Sequence, residues 1–425
     1  MARATCGIYE ALWLARLHHG SARALYLHIP FCVRKCAYCD FSSWATARHD
    51  PLLGAYASAL SRLMWQAHDA GLLQGLETAY IGGGTPTMLG DELAALAGGV
   101  RELAPGLKEL TCEANPDSLT DRLLGRLSAA GCTRLSLGVQ SLNDRELREL
   151  GRLHDAALAE ERLRAAVASG MDVSCDLMCA IPEQTEMSWE RSLHTALSCG
   201  VGHLSVYPLQ IEEGTLFDER YSASEQPWND SSVQAARMEA AGRVLSEAGL
   251  ARYEVASYAR PGKECLHNEA YWTAVPYLGI GTGASSMLTR EAYERLASLA
   301  PQLPQVPDGI SRIRLTCTTS RDAVASAKSF ADLSFDLEML SPAQAAAEDL
   351  MLGMRMVQGV GPGLLAHART QLGSAALDEA VDWCVDRGLA SWQGQRLVPT
   401  EQGWLLGNEL YGRLWDLAPG EVIEA

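Results

Sequence analysis

The amino-acid sequence predicts an α/β fold of parallel βα units followed by a smaller, mainly helical unit. Three observations carry this. Apolar β-prone runs alternate with amphipathic helical stretches through the first 210 residues; the alternation loosens past residue 230; and helical patterns return from Pro342 to the end around one short β-prone segment. A length of 425 residues fits roughly two to three domains at ~150 residues each.

The strands are expected, in order, at Ala24 to Ile29, Leu76 to Ile81, Glu109 to Glu113, Arg134 to Gln140, Asp172 to Met178 and His203 to Leu209. Helical stretches between them run from Leu52 to Ala70, Glu92 to Leu103, Asp121 to Ala129, Leu158 to Ala168 and Ser188 to Ser198. Periodicity alone leaves an open doubly wound sheet and a barrel both possible. In either, ligands collect at the carboxyl ends of the parallel strands. A further helix is expected near Gln234 to Ala248, with β-like pieces at Tyr253 to Ser257 and Tyr277 to Ile280 and a small hairpin within Leu389 to Val398. The expected division is an N-terminal extension (1–22), a core of βα units with its extension (23–300), a Pro- and Ser-rich linker or variable insertion (301–341) and a C-terminal helical, winged-helix-like unit (342–425).

Apolar residues make up 48% and charged residues 20%, the composition of a globular chain. The 35 basic and 52 acidic residues give a net charge of −17, which repels phosphate backbones and anionic lipid. Nucleic-acid binding is therefore not expected, nor membrane contact beyond a peripheral one through a partner. Twelve cysteines without a secretory leader point to a reducing, cytoplasmic setting, with the thiols serving as metal ligands or buried small hydrophobes.

Cys32, Cys36 and Cys39 form a Cys-x3-Cys-x2-Cys run directly after the first strand. Zinc would require a fourth protein ligand, for which His28 and Asp40 are the nearest candidates, and neither completes a common zinc spacing. An iron-sulfur cube held by three thiolates keeps one iron open. The glycine run Ile81-Gly82-Gly83-Gly84-Thr85-Pro86 follows the second strand, where missing side chains let the backbone approach a ligand. Cys175 and Cys179 lie among apolar neighbours and read as buried thiols, and His18 and His19 as residues of a solvated helix.

The cysteine spacing resembles that of the radical S-adenosylmethionine (SAM) superfamily, which implies a partial (β/α)6 barrel, a 4Fe-4S cluster on Cys32, Cys36 and Cys39, and SAM on the open iron. The resemblance assigns Gly83, Gly84 and Thr85 to the loop that binds the SAM amino group. Polar residues recur at later strand ends and suit a zwitterionic nucleoside: Asp176 for ribose hydroxyls, Arg152 for the carboxylate, Glu113 and Gln140 as orienting groups. Tyr26 and Tyr38 join the SAM site by the same similarity.

The blocks around these residues are similar to the branch containing oxygen-independent coproporphyrinogen III oxidase and the heme chaperone HemW family. Asp40-Phe41 follows Cys39 where the oxidase continues with Gly and a fourth Cys, and only 31 residues precede Cys32, so the chain resembles the HemW side. His267-Asn268-Glu269-Ala270-Tyr271-Trp272 looks like that family's HNxxYW motif, with His267 as a heme ligand and Tyr271 and Trp272 packing on a porphyrin face. The resemblance implies a carrier that holds a cluster, SAM and heme, passes heme to a client hemoprotein and draws on an electron donor. The alternative is radical propionate decarboxylation. One block departs from the pattern: Cys179-Ala180-Ile181-Pro182-Glu183-Gln184-Thr185 carries Ala180 and Glu183 where relatives usually have glycine.

Overall fold

The computed structural model describes residues 20–221, 226–420 and 423–424. Most of the expected N-terminal extension, including His18 and His19, lies outside the described residues.

Six parallel strands form the centre: β1 (Ala24–Ile29), β2 (Thr78–Gly83), β3 (Glu109–Ala114), β4 (Arg134–Gln140), β5 (Asp172–Cys179) and β6 (His203–Pro208), side by side in sequence order. A seventh, β7 (Tyr277–Ile280), pairs parallel to β1 on its other side. The helices Pro51–Asp69, Asp91–Leu103, Asp121–Ala129, Ala156–Ala168 and Glu186–Ser198 make the crossovers. Such connections force parallel pairing, and β3 to β6 alternate core-facing apolar residues with polar ones that line an interior cavity. Asp50, Thr120, Asp155 and Thr185 cap helix starts by accepting from backbone N–H groups, which fixes where each strand-to-helix turn ends.

Antiparallel strands extend the sheet at both ends, giving thirteen strands among the described residues. Ser257–Ala259 and Ala251–Arg252 follow β6; Ser285–Thr289, Arg312–Cys317, Phe335–Leu340 and Ile423–Glu424 follow β7. The β-like piece expected at Tyr253 to Ser257 is instead mostly the turn between two short strands, with Ser257 opening the second. The stretch 301–341, expected as a linker or insertion, supplies two strands of the sheet. Its Arg-Ile-Arg-Leu-Thr-Cys and Phe-Asp-Leu-Glu-Met-Leu runs alternate with period two, a signal hidden by the flanking proline and serine residues.

Past Pro342 a second apolar cluster forms around Met354, Leu377, Cys384, Leu397, Leu410 and Leu414, between helices and the hairpin Ala390–Gln393/Arg396–Pro399. The helix Pro342–Gly353 is pinned to the sheet by buried charges. Arg312 meets Glu348 at 2.5 Å and Asp349 at 2.6 Å, and Arg314 adds a bond to Glu348 at 2.7 Å. No helix among the described residues is long and apolar enough to cross a membrane.

Candidate cofactor site

The cysteine loop leaves β1 through Pro30 and Phe31 and is tied down at its middle. The Ala37 amide donates to Leu150 O at 3.1 Å and Arg34 donates to Gly151 O at 2.8 Å. Cys32, Cys36 and Cys39 are half-buried there and line one cavity of about 340 Å3. Thr85 donates to Cys32 Sγ at 3.6 Å and Arg152 to Cys36 Sγ at 3.4 Å. Gly84 makes room for the loop, since a Cβ on it would lie 2.9 Å from Cys32 Sγ and 2.8 Å from Phe31 O. Gly83 has φ +121° and a Cβ there would strike the His28 ring, so only glycine suits the turn. Among the described residues no three His, Cys, Asp or Glu side chains gather as a single ion requires. A cube needs its thiolates spread over separate corners, and three half-buried thiols on one tethered loop, two of them accepting from nearby donors, fit that need.

The same cavity collects the polar strand ends. Glu113 accepts from Tyr80 Oη at 2.7 Å and from the Gly83 amide at 2.8 Å. Burial pushes its carboxyl up to about 7 against those two bonds, with Asp176 adding to the rise. Asp176, on β5, accepts from Ser136 at 2.9 Å and Ser174 at 3.2 Å, and burial raises its carboxyl as well. Ser174 is in turn bonded to His203 Nδ1 at 2.7 Å, and His203 Nε2 to Tyr253 Oη at 2.9 Å. Gln140 sits at a register shift between β4 and β5 with φ +68°, where its amide oxygen accepts from Tyr207 at 3.2 Å. A bulge of this kind re-aims a side chain at a strand end.

Arg152 reaches the site from beyond β4. Its Nη2 donates to Asn115 Oδ1 at 2.8 Å and to Gly138 O at 2.5 Å. Asn115 donates to Thr85 Oγ1 at 2.9 Å. The buried Arg152 Nε has no partner, an open donor suited to a carboxylate.

Tyr38, Gly83, Gly84, Thr85, Glu113, Gln140, Arg152, Asp176 and the three cysteines therefore share one cavity. Tyr26 does not line it. It bonds His28 Nδ1 at 2.9 Å and faces an adjoining cleft of about 480 Å3, also lined by Tyr271 and Tyr277. His267 is buried at 1% exposure behind Tyr80, 5.2 Å between ring centroids. Its Nδ1 is bonded to Thr78 Oγ1 at 3.0 Å and its Nε2 to Tyr271 Oη at 3.3 Å, and burial lowers it to about 3. Both ring nitrogens of this expected heme ligand have protein partners in this structure. The reason lies in the helix Leu266–Trp272, which plugs the amino ends of the strands. Glu109 at the start of β3 accepts from the amides of Leu266 and His267, each at 3.0 Å, and from Arg134 at 3.1 Å.

Asn115, Ser136, Ser174, Ser205 and Tyr207 also line the cavity and are not among the residues the sequence singles out. Asn115 lies two residues after Glu113, Ser174 two before Asp176, and Ser205 and Tyr207 two apart on β6. The period of two that puts alternate residues on one strand face was the available signal.

Residues 26–196 match the radical SAM superfamily and residues 340–406 the HemN C-terminal domain. A protein of Mycobacterium tuberculosis named heme chaperone HemW is 33% identical over 399 residues, covering 92% of this chain and 94% of that one. The chain belongs to the HemW family. The HemW protein of Bacillus subtilis is 30% identical, over 92% of this chain and 98% of its own. That of Escherichia coli is 37% identical over 63% and 70%. Among solved structures, the coproporphyrinogen III oxidase HemN of Escherichia coli, described as a radical SAM enzyme, aligns over 95% of this chain and 93% of its own with a TM-score of 0.71. At 20% identity that likeness shows the fold. The radical SAM family implies a 4Fe-4S cluster and SAM, so the HemW relationship and the cavity point to the same two cofactors.

Proposed function

We propose that this protein is a heme chaperone on a radical SAM scaffold, acting in the cytoplasm: it holds a 4Fe-4S cluster and SAM, binds heme and delivers it to a client hemoprotein. The observation that carries the reading is the near full-length relationship to proteins named heme chaperone HemW, at 33% identity over 92% of the chain. Cys32, Cys36 and Cys39 hold the cluster. When bound, the cluster supplies a low-potential electron, which a redox partner provides. Thr85 and Arg152 orient the thiols of Cys32 and Cys36. Glu113, with the Gly83–Gly84 turn, takes the SAM amino group; Arg152 takes its carboxylate; Asp176 and Gln140 take the nucleoside, and Tyr38 covers it. Tyr26 serves the neighbouring cleft rather than SAM itself. The division into a core (23–300) and a C-terminal unit (342–425) belongs to the same proposal, the latter serving client docking.

The decarboxylase alternative is less well supported, because Asp40-Phe41 stands where the oxidase pattern has a fourth cysteine. Incubation of reconstituted protein with SAM, a reductant and coproporphyrinogen III separates the two. The carrier reading expects unchanged coproporphyrinogen together with saturable hemin binding, and decarboxylated product would overturn it.

A further inference from the structure

The outer side of the cysteine loop carries charge of the sign opposite to that of the chain as a whole. Arg34 and Lys35 stand between Cys32 and Cys36, both exposed, and Lys35 is the covalent neighbour of Cys36. Arg34 donates to Gly151 O at 2.8 Å and the Gly151 amide donates to Arg148 O at 3.0 Å, so the loop abuts the helix Asp144–Glu149. Arg145 and Arg148 of that helix and Arg191 of the helix Glu186–Ser198 are exposed and line one open cleft of about 600 Å3.

Among the described residues none of these five cations has a carboxylate within ion-pair distance; Arg34 and Lys35 bond backbone carbonyls, and the neighbouring Glu149 is matched by Arg220 at 3.0 Å. Asp40, Asp144 and Glu183 stand in the same loop and cleft, which leaves an excess of positive charge there on a chain whose net charge is −17. Phe41 is 61% exposed, its carbonyl accepting from Lys35 at 3.1 Å, and Leu153 is 45% exposed one residue past Arg152. Unpaired arginines beside exposed apolar side chains are the make-up of a protein-docking face.

We propose that this face docks an acidic one-electron carrier protein, and that the cluster on Cys32, Cys36 and Cys39 receives its electron there. In that step the reduced carrier loses one electron and the cluster gains it; no bond forms or breaks. Opposite surface charges speed such encounters by ~10- to 1,000-fold, most at low salt. The acidic remainder of the chain repels the same carrier, so the local excess of cations selects the orientation that brings it against the cysteine loop.

This inference rests on the cluster assignment, and the test separates the two. Anaerobic stopped-flow mixing of the oxidised, cluster-loaded full-length protein with reduced flavodoxin, an acidic one-electron carrier, gives the second-order rate of cluster reduction; the methyl viologen radical cation serves as a reductant of the opposite charge. The wild-type rate with flavodoxin should fall steeply as ionic strength rises. Arg145→Glu/Arg148→Glu should lower that rate about 10- to 100-fold at low salt without slowing the viologen, Arg191→Glu should act in the same direction, and Arg145→Lys/Arg148→Lys should keep the wild-type rate. Charge-reversed variants that flavodoxin reduces as fast as wild type, or that are slowed equally with both reductants, overturn the inference, as does a wild type that viologen reduces and flavodoxin does not; the cluster assignment stands in each of these cases. A reconstituted wild type without iron and sulfide overturns the cluster assignment and the inference with it.

Discussion

Arg152 and Asn115 are joined by a 2.8 Å hydrogen bond that closes a circuit between Cys32 and Cys36, two of the three cysteines proposed to hold the cluster. From Cys36 Sγ it runs through Arg152 to Asn115, on to Thr85 Oγ1 and back to Cys32 Sγ. Residues from four separate segments thereby fix the spacing of Cys32 and Cys36, and the guanidinium adds positive charge beside the sulfurs.

Replacing Cys32, Cys36 or Cys39 by Ala should abolish the cluster, because two thiolates cannot hold three corners of a cube. Iron and sulfide analysis after anaerobic reconstitution reads this directly. Wild-type content in all three variants would contradict the assignment.

Breaking the circuit should act on SAM as well. Arg152→Ala removes a charge-assisted donor worth roughly 1.5–3 kcal/mol, or about 10- to 150-fold in SAM affinity by calorimetry. Asn115→Ala should give a smaller loss, since the guanidinium keeps its bonds to Gly138 O and Cys36 Sγ. Unchanged affinity in both would remove the circuit from the site.

Glu113 gives a pH signature whose sign follows from its environment. Burial raises its carboxyl from 4.5 to about 7, so the folded chain holds a proton that the unfolded chain releases. The contribution is fully present below about 4.5 and is lost as pH rises towards 7; at ~1.4 kcal/mol per pKa unit it amounts to a few kcal/mol. Glu113→Gln should flatten this part of the stability-versus-pH curve of the cofactor-free protein. The wild type's SAM affinity should rise over the same range, as the carboxylate forms to meet the ammonium group. A wild-type SAM affinity that is flat from pH 5 to 8 would refute the pairing.

Much of this was legible beforehand, and the reasons differ by residue. The bounds of β1, β4 and β7 and the thiols of one loop follow from local patterns: apolar runs, glycine spacing and cysteine spacing. The position of His267 does not, because it depends on a contact between helix Leu266–Trp272 and the start of β3, more than 150 residues earlier. Arg152 is visible as a polar residue, but its link to Asn115 depends on the loop after helix Asp144–Glu149 meeting the end of β3 across the cavity. The strands Arg312–Cys317 and Phe335–Leu340 were masked by their proline- and serine-rich surroundings.

Ala180 and Glu183 have φ +53° and +64°, a conformation that favours glycine. The left-handed conformation costs a side-chain-bearing residue ~1–2 kcal/mol, and glycine's extra unfolded-state freedom offsets ~0.5–1 of that. Ala180→Gly should therefore stabilise the protein by up to about 1 kcal/mol in denaturant melts. Gln184 and Asn229, bonded to the Ala180 amide and carbonyl, hold the loop in place meanwhile. A destabilised Ala180→Gly would contradict this reading of the loop.

The buried Arg312 is paired with both Glu348 and Asp349. Asp349→Ala leaves part of that charge uncompensated and should cost ~3–5 kcal/mol, loosening the C-terminal unit from the sheet. Hydrogen exchange in the helix Pro342–Gly353 should rise with it, and unchanged protection would show that the ion pair does not hold the junction.

The most direct test of the carrier reading is an anaerobic absorbance titration of the cluster-loaded, SAM-bound protein with hemin, followed by addition of an apo-hemoprotein. A saturable Soret band should form on this protein and then move to the acceptor, with cluster absorbance unchanged. Hemin that binds without saturation, or that stays on the chain when an acceptor is present, would contradict the carrier reading.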